Sequence, residues 1–131
     1  MSSGGLRLRR LWLGIGWTLI GLVVYLTLVP SPSGPPPFPA ADKLEHALAY
    51  AVLMGWFAQL YRAPSQRWLW AGGLIALGVL LEYGQLLGGV RDFEYLDMLA
   101  DAVGVLLGWL GVLTPLGRTL QILEARWLRT H

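Results

Sequence analysis

The stretch LWLGIGWTLIGLVVYLTLV, residues 11–29, runs for nineteen positions without a charged side chain. At about 1.5 Å of rise per residue, a helix of this length reaches nearly across the roughly 30 Å hydrocarbon core of a bilayer. It predicts a transmembrane helix, and the composition agrees. Of 131 residues, 55% are hydrophobic and only 14% are charged, where an ordinary soluble domain has about a quarter charged. A cleaved secretory signal would also place arginines (Arg7, Arg9, Arg10) before an apolar run and FPAA after it. This run is longer than the roughly 7–15 residues of a cleaved signal, and six prolines separate it from Ala40 and Ala41, so it reads as retained.

Outward from this helix lie three more apolar segments, at about 44–61, 68–87 and 96–114, with Glu82 inside the second of these and Asp97 and Asp101 near the start of the third. The fold class expected is all-α: a polytopic membrane protein of one domain over residues 1–131, built as a bundle of four transmembrane helices. The tail, 118–131, sets Leu120, Leu123, Trp127 and Leu128 at helical spacing among arginines, the pattern of a short amphipathic helix lying on a membrane surface. The connection VPSPSGPPPFPAAD is expected to form an extended, polyproline-like strap. Three arginines precede the first helix, Arg62 and Arg67 join the second and third, and Arg118, Arg126 and Arg129 follow the fourth, while the other face has only Lys43 and Arg91. Both termini are therefore expected in the cytoplasm of a multi-pass protein.

Cysteine is absent, which excludes a disulfide framework, a thiolate nucleophile and thiolate-bound metal. A net charge of +2, with arginines scattered at segment ends, gives no nucleic-acid-binding face, and nucleic acid is excluded as a partner.

Seven of the eight acids, Asp42, Glu45, Glu82, Asp92, Glu94, Asp97 and Asp101, fall at the outer ends of segments two to four or in the loop between the last two. Counting along helices puts His46, Glu82 and Asp101 within about 6–8 Å of one boundary. Such groups are costly against lipid, so they are expected to face one another. Asp42, His46 and Tyr50 share one helical stripe, Glu82 and Gln85 lie one turn apart, and Asp97 and Asp101 lead into Gly104, Gly108 and Gly111 on a face that allows a close neighbour. Arg91, in the loop above, is suited to grip a carboxylate or an anion. Asp42 and Glu45 also have capping-box spacing, which gives them a purely local reading. The candidate ligand-binding set is Asp42, Lys43, His46, Tyr50, Glu82, Gln85, Arg91, Asp97 and Asp101.

In motif form these residues read D-K-x-x-H-x-x-x-Y (Asp42, Lys43, His46, Tyr50), then E-x-x-Q (Glu82, Gln85) with Arg91 six residues on, then D-x-x-x-[N/D]-x-x-G (Asp97, Asp101, Gly104). Over roughly residues 10–115 this combination resembles the VanZ-like family of small bacterial membrane proteins. Asp101 departs from it, since the family commonly has asparagine there. The resemblance implies a four-helix protein of the bacterial cytoplasmic membrane, with the name-giving member linked to low-level teicoplanin resistance. It brings no agreed biochemical activity.

The expected function is an outer-face polar pocket that binds or modifies an envelope lipid or a lipid-linked cell-wall precursor, that is, an anionic or polyprenyl lipid, with a bearing on glycopeptide susceptibility. No cofactor is called for. A catalytic version would use His46 or Glu82 as general acid/base, with Glu82, Asp97 and Asp101 as oxygen ligands for a divalent ion. The alternative is a non-enzymatic scaffold that docks an envelope enzyme or a second copy of the chain.

Overall fold

The computed structural model describes residues 6–29, 41–88 and 95–130, without the side chain of Asp42. Among the described residues the regular structure is wholly helical: α1 (Arg9–Leu28), α2 (Ala41–Leu60), α3 (Pro64–Leu87), α4 (Tyr95–Val112), a 3₁₀ turn (Pro115–Arg118) and α5 (Thr119–Thr130). α3 starts four residues before the apolar segment does. Ala63 is extended and Pro64 takes the first helical position, where its missing N–H costs nothing, so the RAPSQR stretch becomes a helical turn rather than a loop. Asp42 lies in the first turn of α2, and the capping-box reading of its side chain falls outside the described residues. The proline-rich strap and the loop carrying Arg91, Asp92 and Glu94 lie outside the described residues.

α1, α3 and α4 are long and apolar enough to cross a membrane. The sequence reading counted four such segments, and α2 is the exception because Asp42, Lys43 and Glu45 occupy its first turns. α2 is instead the innermost helix, packing against α1, α3 and α4. Its Tyr50, Leu53, Met54, Phe57 and Ala58 form the centre of the core. The outside of the bundle is apolar, with Leu26, Leu69, Leu80 and Leu99 all more than half exposed. This is an all-helical, membrane-embedded architecture.

The most extensive interface joins α2 to α4. The two helices run parallel, and Gly104 and Gly108 of α4 lie against the Ala47 and Ala51 carbonyls of α2, so closely that a Cβ at either glycine would collide with backbone. Small residues four apart on both helices allow this approach. Gly111, expected to continue the seam, faces open space.

Helix ends are satisfied by side chains from other helices. Leu8 gives α1 no side-chain cap. The buried carboxylate of Glu124 on α5 instead accepts the Arg7 and Leu8 backbone N–H groups, both at 2.8 Å, and the Trp12 indole N–H at 2.9 Å. At the end of α2, Arg67 donates twice to the Ala58 carbonyl (3.0 and 2.7 Å) and Arg9 donates to the Leu60 carbonyl. Gln59 accepts the Leu120 N–H at the start of α5 (2.9 Å). Nearby, Phe57 stacks on Trp70 at 3.9 Å, and Trp56 donates to the Trp12 carbonyl at 2.9 Å, fastening α1 to α2 and α3 to α2. These contacts gather the start of α1, the end of α2, the start of α3 and α5 at one end of the bundle. The expected surface helix is thus seated by Leu120 and Glu124 against the protein, leaving Ile122, Leu123 and Trp127 exposed.

Two outcomes follow from this packing. Gly104→Ala should lower stability by about 1–3 kcal/mol through overpacking against the Ala47 backbone, whereas Gly111→Ala should stay within about 0.5 kcal/mol, as read by thermal unfolding in detergent. At Glu124, burial opposes the charge, but the Leu8, Trp12 and Arg7 N–H groups outweigh it and hold the carboxyl below its ordinary value. A depressed folded value means that the stabilisation is full above the ordinary glutamate range and is lost as pH falls through it. Wild-type stability should therefore drop on acidification below about pH 4.5 more steeply than that of Glu124→Gln, compared by melting temperature across pH.

Candidate functional site

The end of the bundle opposite Glu124 holds the acids. Because α2 and α4 are parallel and close, residues near the start of one meet residues near the start of the other. Lys43 Nζ lies 2.7 Å from Asp97 Oδ1, and His46 Nδ1 lies 2.8 Å from Asp101 Oδ1. The second imidazole nitrogen is 3.9 Å from Asp97 Oδ2, so His46 stands between two carboxylates spaced one turn apart on α4. The burial is graded: the Asp97 and Asp101 side chains are 0% and 4% exposed, while Lys43 and His46 are 25% and 15% exposed. The carboxylates therefore lie beneath, and Lys43 and His46 form the rim.

α3 completes the wall. Gly78 faces Asp101, and a Cβ there would meet its carboxylate at 2.5 Å, so this glycine makes room for a charged side chain. One turn further along α3, Glu82 is buried. Gln85, also buried, donates from Nε2 to the Thr27 carbonyl at 2.9 Å and so closes the end of α1. Its Oε1 is buried with no hydrogen-bond partner, a state that costs about 1–3 kcal/mol for an acceptor. Tyr50, one turn below His46, is buried within electrostatic range of Asp101.

Of the nine residues proposed from sequence, the structure brings Lys43, His46, Asp97 and Asp101 into one cluster, with Tyr50 within electrostatic range of Asp101, while Glu82 and Gln85 are buried on α3. Arg91 and the Asp42 side chain lie outside the described residues. Asp97 is the fully buried partner of Lys43. Among the described residues no three His, Asp or Glu side chains form a group that could hold a metal ion, so Glu82, Asp97 and Asp101 do not make the divalent-ion site considered from sequence. A separate groove of about 410 Å³ runs between α3 and α4, and none of the nine lines it. Sequence reasoning missed the polar residues of the opposite end, Gln59, Arg67 and Glu124. Their signal was a lone acid among eight arginines and a glutamine inside an apolar segment.

Removing Lys43 leaves the Asp97 carboxylate buried without its ion pair. Lys43→Met should cost about 3 kcal/mol, and the double variant Lys43→Met/Asp97→Leu should recover most of that loss. Chemical unfolding of the four members of this mutant cycle in detergent measures the coupling. Comparison of the chain with family models, curated proteins and solved structures finds no match.

Proposed function

We propose that this chain is a four-span protein of the VanZ-like kind in the bacterial cytoplasmic membrane, with both termini cytoplasmic. Its outer-end cluster binds the headgroup of an anionic envelope lipid or lipid-linked cell-wall precursor. The observation that carries this reading is the layering of the cluster: partly exposed Lys43 and His46 are held at 2.7 and 2.8 Å by carboxylates buried beneath them. Lys43 and His46 are oriented before a ligand arrives from outside, so little side-chain entropy is lost when a phosphate meets them. Ionisable groups inside membrane helices are costly enough to mark functional sites by default. Orientation rests on charge: eight of the ten basic residues sit with the Glu124 end of the bundle, which the positive-inside rule assigns to the cytoplasm. Altered glycopeptide susceptibility would follow if the ligand is a wall precursor.

A scaffold that docks an envelope enzyme is the second reading. It is favoured by the position of both ion pairs, which bridge the two helices joined by the glycine seam and so lock their register.

Native mass spectrometry of the purified protein decides between them. The expected result is a co-purifying anionic or polyprenyl lipid that is lost from His46→Gln while the variant keeps its melting temperature. A wild type free of specific lipid, with a variant that melts early, would leave only the scaffold reading.

A further inference from the structure

The outer cluster has a third wall, on α3. Gly78, Glu82 and Gln85 follow at i, i+4 and i+7 on one buried face of this helix, and the first of them lies against Asp101. α3 runs opposite to α2, since Arg67 near its start meets Ala58 near the end of α2, so the residues after Gly78 lead toward the end of the bundle where α2 and α4 begin. Gln85 is held at that end, its Nε2 donating to the Thr27 carbonyl near the end of α1.

This wall offers acceptors. Asp101 gives Oδ1 to His46 at 2.8 Å and turns Oδ2 toward the space that Gly78 leaves. Gln85 is 3% exposed, and its Oε1 is enclosed without a hydrogen-bond partner among the described residues. A carboxylate has about four lone-pair sites and an amide oxygen about two, whereas Lys43 and His46 supply at most about five N–H groups between them. An enclosed acceptor is costly until an O–H or N–H group reaches it.

We infer that the headgroup bound at Lys43 and His46 carries hydroxyl groups beside its phosphate, and that Gln85 Oε1 and Asp101 Oδ2 accept them. This rests on the headgroup reading above and narrows it to one chemical class, an anionic phosphate ester of a polyol, whether the glycerol of a phospholipid or the sugar of a lipid-linked precursor. A hydroxyl donates without adding charge, so the phosphate keeps its attraction to Lys43 and His46 while the O–H meets an enclosed oxygen. Hydrogen bonds from O–H to carboxylate are short and among the stronger ones. Such a site discriminates by penalty, because a headgroup without the hydroxyl leaves the acceptor unmet.

The test titrates the full chain in detergent with phosphatidylglycerol and with phosphatidylmethanol of the same acyl chains, read by native mass spectrometry. Both lipids are singly charged phosphodiesters, and only the first has headgroup hydroxyls. Wild type should retain phosphatidylglycerol about tenfold more strongly, the effect of one hydrogen bond to a buried acceptor. Gln85→Met, which removes the amide oxygen, should bring the two lipids within about twofold of each other. That ratio is internal to the folded fraction, and the wild-type comparison decides even if the variant does not fold. Competition with a polyprenyl hexosyl phosphate tells the two sources apart: displacement of phosphatidylglycerol assigns the sugar, and resistance assigns the glycerol. Equal retention of phosphatidylglycerol and phosphatidylmethanol by wild type, or a preference that survives in Gln85→Met, would overturn the hydroxyl assignment; loss of both lipids from His46→Gln would then leave the headgroup reading standing. Stronger retention of phosphatidylethanolamine would give the acceptors to an ammonium and overturn it as well. Retention of none of these lipids would remove the headgroup reading and this inference together.

Discussion

The approach of α4 to α2 through Gly104 and Gly108 is the constraint on which the rest of the structure depends. With backbone against backbone at Ala47 and Ala51, the first turns of the two helices are brought close enough for Lys43 to reach Asp97 and His46 to reach Asp101. A bulkier residue at either glycine would move the helices apart and separate both pairs. The room that Gly78 leaves for Asp101 on the α3 side belongs to the same design: three helices give up side-chain volume so that charge can be enclosed. Enclosed pairs of this kind contribute little net stability after desolvation. Their physical effect is on specificity, because any other register would bury a charge alone.

A second constraint comes from the ends of the helices. Free carbonyl and N–H groups at helix termini have no water to turn to at membrane depth. Here the solution is reciprocal: α5 caps α1 through Glu124, α1 and α3 cap α2 through Arg9 and Arg67, α2 caps α5 through Gln59, and α3 closes α1 through Gln85. Arginine near a helix C-terminus also meets the negative end of the helix dipole. The arginines that lie where the positive-inside rule predicts them are therefore not all topological signals. Some are structural donors.

The two ends of the bundle are consequently different in kind. At one end, Lys43 and His46 ride on buried carboxylates and form a partly exposed rim. At the other, aromatic rings and arginines join the helices to one another, and Glu124 draws the C-terminal helix onto the start of α1. A substitution at the first end tests binding against register. A substitution at the second tests how firmly the peripheral helices α1 and α5 are held.

The membrane class, the number and approximate limits of the helices, the shared level of His46 and Asp101, and the small-residue face of α4 are legible in the chain alone. All of these follow from local quantities: the length of uncharged runs, a rise of about 1.5 Å per residue, and the 3.6-residue period. It took the packed helices to reveal that α2, the least apolar of the four, is the central one, that Asp97 belongs to Lys43 and Asp101 to His46, that Gly111 is outside the seam, and that Glu124 accepts the N–H of Leu8, 116 residues away. Periodicity places a residue on a face of its own helix. Which neighbour that face meets depends on the packing of the other helices, and no local pattern encodes it.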